Sequence, residues 1–130
     1  MHYDFVPIAH RNPLKWPNGK RLAVILTINM EYWDPVRDTT EPYYPGGPSI
    51  VGGNLAGNVY DNANYTWREY GQRVGVWRLF DIFDAEGVPA SCTMNGKMAL
   101  ERRPVVDAAL ERGWEIVPHN FVQTELLTDH

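Results

Sequence analysis

The sequence predicts an α/β fold, in which a parallel sheet is covered by helices, from three short apolar segments that alternate with helical patterns. The first segment, residues 22–31, is a continuous apolar run that contains several β-branched residues and ends in polar groups. A run of this kind is typical of a strand buried on both faces. Two further apolar segments, 88–94 and 114–117, each follow a helical pattern. Strands that alternate with helices form parallel sheets with right-handed crossovers.

The helical patterns lie between these strands. Residues 71–87 give the clearest one, and Gly87 is placed to end the helix. Its apolar stripe at helical spacing comprises Val76, Leu79, Phe80 and Phe83. Shorter helices are predicted over 96–102 and 105–112, and Pro104 suits the first turn of the second of these. The predicted order is therefore strand, helix, strand, helices, strand.

Composition limits the class of protein. The chain has 130 residues, 44% of them apolar, and a formal net charge of −4, which predicts a globular domain and disfavours nucleic acid or an anionic membrane as partner. No apolar run reaches the roughly 20 residues of a membrane span. Residues 1–10 contain neither a basic n-region nor an apolar h-region, so we expect no secretory signal. The single cysteine, Cys92, cannot form an internal disulfide and is expected to be a packed thiol. These features predict a cytoplasmic protein.

We expect one domain over 1–130, with an N-terminal arm at 1–20 and a long loop at 32–64. The loop is rich in proline and glycine, which argues against helix. It also carries many aromatic residues, which argues against disorder. Long ordered loops are usually functional, so we expect this one to cover the mouth of a site. A variable surface insertion is the alternative.

Two polar residues at strand ends carry the predicted chemistry. Glu31 ends the first strand and His119 follows the third. In a parallel sheet the carboxyl ends of all strands share one edge, where ligands bind. A histidine beside a carboxylate forms a general acid/base pair or part of a metal site. A structural histidine is the alternative, although a carboxylate ending an apolar strand is costly to bury without a partner. The residues able to join this pair are Asn29, Asn95, Asn120, Gln123 and Glu125.

Three segments carry a resemblance to a known family. They are residues 16–31, including Trp-Pro-Asn-Gly-Lys-Arg, the Tyr-Gly-Gln-Arg-Val-Gly-Val-Trp-Arg-Leu segment at 70–79, and Gly-Trp-Glu-Ile-Val-Pro-His-Asn at 113–120. The pattern resembles the polysaccharide deacetylase superfamily, also called the nodulation-deacetylase homology domain. It is most similar to the branch of metal-independent allantoinases and cyclic imide hydrolases. The resemblance implies the N-terminal portion of a (β/α)7 deacetylase-type barrel.

The chain departs from the family's metal-binding pattern. Metal-dependent members end their first strand with Thr-Phe-Asp-Asp-Gly, and one Asp is the base while the other binds the metal. This chain has Thr-Ile-Asn-Met-Glu at 27–31, so both Asp residues are replaced. The second motif, His-Thr/Ser-x-x-His, retains only His119. The resemblance therefore implies either no metal or one altered divalent site, most simply zinc, with Glu31 and His119 as ligands and Glu125 as a candidate third.

The activity implied by the resemblance is hydrolysis of carbon–nitrogen bonds other than peptide bonds, with opening of a small cyclic amide or imide. Water attacks the carbonyl, Glu31 or His119 acts as base, and Asn29, Asn120 or a metal stabilises the oxyanion. The residues expected to contact the small-molecule substrate are Tyr32, Trp33, Asn120, Phe121 and Gln123. The alternatives are a non-catalytic scaffold subunit of the same fold and a carbohydrate N-deacetylase with altered metal ligands.

The implied barrel is about twice this length or longer, since barrels of this general kind take about 250 residues. Three strands alone leave unpaired sheet edges. The resemblance therefore predicts a second polypeptide that completes the barrel, and hence a homo- or hetero-oligomer.

Overall fold

The computed structural model describes residues 3–33, 42 and 52–123 of the chain. Its centre is a parallel sheet of three strands, β1 (Thr27–Met30), β2 (Ser91–Met94) and β3 (Glu115–Pro118), in the order β1-β2-β3. Met30, Met94 and Pro118 lie level with one another across the sheet. The predicted α/β class with parallel strands is confirmed, and these strands are compatible with part of a barrel without forming one.

Helices connect the strands. α1 (Asn62–Tyr70) runs through a π-helical segment (Gly71–Gly75) into α2 (Val76–Glu86), and β2 is followed by α3 (Gly96–Glu101) and α4 (Arg103–Glu111). The helix predicted over 71–87 thus begins earlier, at Asn62. Asp61 caps it, because its side chain accepts a hydrogen bond from the backbone amide of Asn64 at 3.1 Å. Gly87 ends it in the left-handed conformation, with φ 63°.

The core lies on one face of the sheet. Alternate strand residues, such as Met30, Cys92 and Met94, point toward the helices and are buried. They pack against α2, α3, α4 and the ring of Trp114. Trp114 in turn contacts Phe80 edge to face, with ring centroids 5.0 Å apart. This packing fixes α2 and α4 against the sheet, and the strand ends are held with them.

The prediction that residues 22–31 form one strand buried on both faces was wrong. β1 comprises only Thr27–Met30, and Leu22, Val24 and Ile25 are 74%, 71% and 82% exposed. In the described ranges no strand pairs with the outer edge of β1. The second sheet face is open and polar. Its residues are Thr27, Asn29, Ser91, Thr93 and Glu115, with Val117.

The polar face explains why β1 is not buried on both sides. Polar and apolar residues alternate in 27–30 and again in 91–94, and this period of two marks a sheet with one solvated face. The polar side chains pair across the strands. The Oγ atoms of Thr27 and Ser91 lie 2.9 Å apart, and Thr93 Oγ1 donates to Asn29 Oδ1 at 2.5 Å.

The N-terminal arm is exposed over the part that the structure describes, 3–20, and contains two short 3-10 turns, Ile8–His10 and Pro17–Gly19. Most of the predicted 32–64 loop lies outside the described residues, and its last residues belong to α1. None of the helices in the described ranges has the length and apolar character of a membrane span.

Candidate active site

The register of the sheet brings three polar residues to one edge. Glu31, Asn95 and His119 each follow the last residue of a strand, and those last residues lie level with one another. His119 Nε2 lies 3.8 Å from Glu31 Oε1, with the side chains 38% and 22% exposed. The predicted convergence of Glu31 and His119 is confirmed. Their catalytic roles remain predictions.

Glu31 is held on two sides. The indole Nε1 of Trp33 donates a hydrogen bond to Glu31 Oε2 at 2.9 Å. The Arg68 guanidinium lies over the Trp33 ring, 3.9 Å from its centroid, which orients the indole. From the π-helical segment, Gln72 Nε2 donates to the backbone carbonyl of Glu31 at 2.8 Å. Trp33 thus binds Oε2 of the carboxylate, and Oε1 is directed toward His119.

Gln72 is itself fixed by a partly buried ion pair. Arg102 Nε donates to Gln72 Oε1 at 2.9 Å, and Arg102 also pairs with Glu69 at 2.7 Å. Burial raises the pKa of Glu69, but the hydrogen bonds and charges of Arg102 and Arg73 outweigh burial and lower the pKa below its ordinary value. The carboxylate therefore stays charged at neutral pH and keeps Arg102 in place.

Asn95 is fully buried between the strand ends. The backbone N–H of Tyr32 donates to Asn95 Oδ1 at 2.6 Å. Asn95 Nδ2 donates to the backbone carbonyl of His119 and, at 3.2 Å, to Gln123 Oε1. One amide thus contacts the residues that follow β1 and those that follow β3.

The predicted substrate-contacting residues lie around this edge in different settings. Tyr32 is half-buried and packs against the core, and Lys97 Nζ lies 4.9 Å from its ring centroid. The Gln123 backbone N–H donates to the Tyr32 carbonyl at 3.0 Å. Asn120 adopts a positive φ of 45° and accepts a hydrogen bond from the Gly96 N–H at 3.0 Å. Tyr32, Gln123 and Asn120 therefore already make contacts within the fold.

Phe121 is 53% exposed and packs against Gly96, where an added Cβ would lie 2.9 Å from the ring. Glycine is therefore required for the close approach of this ring. Of the predicted substrate-contacting aromatics, Phe121 is the most exposed, and Trp33 is hydrogen-bonded to the Glu31 carboxylate.

A cleft of about 490 Å³ opens beside β1 and reaches Glu31. Asn29 and Glu31 line it from the strand, and aromatic rings line it from the loop and α1. Those rings belong to Trp33, Trp67 and Tyr70. Asn29 therefore faces the same cavity as Glu31, while its Oδ1 is bound by Thr93.

A zinc site needs three or four protein ligands. In the described part of the chain, no cluster of three His, Cys, Asp or Glu residues is placed to hold a metal. Glu31 and His119 supply two donors, and Glu125 lies outside the described residues. The described residues therefore do not by themselves make up a zinc site.

Sequence reasoning missed Gln72 and Arg102, and it named Asn95 only as a residue able to join the pair of Glu31 and His119. Gln72 lies in the Tyr-Gly-Gln-Arg segment that carried the resemblance, and Asn95 directly follows a strand. The positions of Gln72 and Asn95 therefore each carried a signal in the sequence. What the sequence did not show was that Gln72 reaches the Glu31 backbone and that Asn95 is buried between two chain segments.

One curated protein resembles the chain over most of its length. A protein of Schizosaccharomyces pombe named "Putative polysaccharide deacetylase" is 31% identical over 119 residues, which cover 81% of this chain and 34% of the relative. The chain thus spans about a third of the length of the curated relative it matches. No family model matches the chain, and no solved structure matches it. The similarity supports the polysaccharide deacetylase superfamily and does not extend to the allantoinase and cyclic imide hydrolase branch.

Proposed function

We propose that this chain carries part of the active site of a hydrolase of the polysaccharide deacetylase type, which cleaves a carbon–nitrogen bond other than a peptide bond. The observation that carries the proposal is the 3.8 Å approach of His119 Nε2 to Glu31 Oε1 at the carboxyl edge of the sheet. The similarity to the named deacetylase supports the same class of reaction.

The pair suits general acid/base catalysis. The Glu31 carboxylate takes a proton from water as the water oxygen bonds to the carbonyl carbon. His119, as imidazolium, then gives a proton to the nitrogen as the C–N bond breaks. The products are a carboxylic acid and an amine, and transfer of a proton from Glu31 back to His119 restores the pair, so atoms and charges balance. Trp33 and Gln72 hold Glu31 in place for the first step.

The carbonyl oxygen gains negative charge during attack and needs a hydrogen-bond donor. Asn29 is our candidate, because it lines the cleft beside Glu31 and its Oδ1 already accepts from Thr93. That hydrogen bond leaves the Nδ2 group as the donor end of the amide. Asn120 remains a second proposed donor.

Two substrate classes follow from two observations. The relative's name favours an N-acetylated carbohydrate. The cleft lined by Trp33, Trp67 and Tyr70 favours a small flat ring, such as a cyclic amide or imide, because aromatic walls stack on flat ligands. We place the deacetylase first and ring opening second. The deacetylase proposal includes a divalent metal, and the remaining ligands of that metal would lie outside the described residues.

We further propose that additional polypeptide completes the sheet. Residues 22–26 present exposed apolar side chains beside β1, whose outer edge has no partner strand among the described residues. The second face of the sheet is also open there. Unpaired edges and apolar patches of this kind are usually covered in the working protein.

The test is a hydrolysis assay of the assembled protein, which contains this chain together with the polypeptide that completes the sheet, with N-acetylglucosamine oligomers in one arm and hydantoin, allantoin and succinimide in the other. Each arm is run with and without a chelator. The variants are Glu31→Gln and His119→Ala, and Glu115→Gln is the matched control, since Glu115 is an exposed carboxylate on the same sheet.

We expect Glu31→Gln and His119→Ala to lower kcat by about 100-fold or more, while the control keeps full activity and all three variants keep the wild-type circular dichroism. Acetate release supports the deacetylase, and ring opening supports the cyclic substrate. Activity that survives in both site variants overturns the proposed function, as does a wild-type protein that acts on neither class.

A further inference from the structure

Asn95 stands out among the polar residues that the proposed mechanism does not use. Its exposed fraction is 0%, and it follows β2, the middle strand of the sheet. A buried amide without partners would be costly. Asn95 satisfies both ends of its side chain with groups from two other chain segments.

The two segments are those that carry the acid/base pair. Tyr32, whose N–H Asn95 accepts, directly follows Glu31 in the chain. The carbonyl to which Asn95 donates belongs to His119 itself. The same amide group therefore contacts the backbone next to one member of the pair and the backbone of the other.

The junction contains further hydrogen bonds of the same kind. Gln123, the second acceptor of Asn95 Nδ2, donates its N–H to the Tyr32 carbonyl at 3.0 Å. The Asn95 N–H donates to the Met30 carbonyl at 3.4 Å, and the His119 N–H donates to the Met94 carbonyl at 3.0 Å. Asn95 is the member of this junction that binds both flanking segments through one side chain.

We infer that Asn95 is the positioning residue of the site, which sets the separation of Glu31 and His119 by binding the chain at the ends of β1 and β3. It acts through those two residues and does not touch the substrate. The inference rests on the proposed function for its effect on catalysis, but its geometric part does not. Misplacement of catalytic groups by about 1 Å costs about 100-fold in rate.

The geometric part is tested by NMR on the full chain. The readout is the nuclear Overhauser effect between the His119 ring protons and the side-chain methylene protons of Glu31. It is measured in wild type, in Asn95→Ala, and in Asn64→Ala as the matched control. Asn64 is also 0% exposed, and one hydrogen bond of its amide is donated to Asp61 in the first turn of α1.

We expect the effect in wild type and in Asn64→Ala, and its loss in Asn95→Ala while the amide shifts of α2 and α4 stay in place. Asn95→Asp is the second variant, because it has the same size, keeps the acceptor for Tyr32 and removes the donor to His119. It is expected to lose the effect as well.

The kinetic part uses the substrate found active in the assay above. Asn95→Asp is expected to lower kcat by about 100-fold with little change in KM, whereas Asn64→Ala keeps the wild-type kcat. If the wild type is inactive on every substrate, the proposed function fails and the NMR result still decides the role of Asn95. An Overhauser effect retained in folded Asn95 variants overturns the inference. Unfolding of both variants also overturns it, because Asn95 would then serve the whole fold.

Discussion

Cys92 is 1% exposed in β2, on the sheet face that packs against the helices. Burial raises the pKa of its thiol from 9.0 to about 11. Two pKa units correspond to about 100-fold less thiolate at neutral pH. The sequence-based expectation of a packed thiol agrees with this burial.

We therefore predict that Cys92 reacts with a disulfide reagent at least about 100-fold more slowly in the native protein than in the protein unfolded by guanidinium at the same pH. Stopped-flow absorbance measures both rates. A native rate close to the unfolded one would show that the thiol is accessible and would contradict the packing of β2.

Glu31 and His119 were predictable as single residues because each follows an apolar strand and carries a side chain suited to proton transfer. Their contacts were not predictable in the same way. Trp33 lies only two residues from Glu31, yet the direction of its indole depends on Arg68, which is far away in sequence. Tyr32, whose contact with substrate remains a prediction, is half-buried and packs against the core.

Among the elements, the continuous helix from α1 through the π-helical segment to α2 has the closest connection to the site. The π-helical segment, Gly71–Gly75, includes Gln72, whose side chain reaches the Glu31 backbone. π-bulges occur frequently at functional sites. The apolar spacing predicted α2 and its end at Gly87 correctly, but it did not show the π-helical geometry, because the segment has only 5 residues and is too short for a hydrophobic period to be read.

Glu69 joins this helix to α3 through Arg102, with side chains 13% and 21% exposed. Because the folded-state pKa of Glu69 is lowered, its contribution to stability is present above the unfolded-state pKa and is lost as pH falls through the folded-state value. Glu69→Gln is therefore predicted to lower the free energy of unfolding by about 2 kcal/mol at pH 7. The difference is predicted to shrink below pH 4.5, the ordinary pKa.

Urea denaturation across pH measures this effect. Asp107→Asn is the control, because Asp107 pairs with Arg103 on an exposed helix surface, at 2.7 Å with side chains 45% and 63% exposed. Exposed pairs contribute little, so the control is expected to change stability only slightly. Equal losses in both variants, or a Glu69→Gln loss that does not depend on pH, would contradict the stabilising role of the Glu69–Arg102 ion pair.

The molecule as a whole combines one covered sheet face with one open face in the described ranges. The apolar run beside β1 is exposed, at 71% for Val24 and 82% for Ile25. Contiguous exposed apolar residues favour association with other polypeptide.

We predict that replacing both Val24 and Ile25 with lysine reduces self-association of the chain, measured by light scattering after size-exclusion chromatography, and leaves its circular dichroism unchanged. Ile82→Lys is the control, because Ile82 is 56% exposed on α2, outside this run. A wild-type chain that stays monodisperse and monomeric would contradict the prediction, as would equal effects in both variants.

The sequence by itself determined the α/β class, the order of strands and helices, and the two residues that meet at the strand ends. These follow from hydrophobic period, from glycine at a helix end and from the geometry of parallel strands, all of which are local or general. The tertiary structure decided that residues 22–26 are exposed, that the second sheet face is polar and open, and that Gln72 and Asn95 form hydrogen bonds to the segments that carry Glu31 and His119. Burial and hydrogen-bond partners depend on which distant segments come into contact. The pattern of residues within one segment does not contain that information.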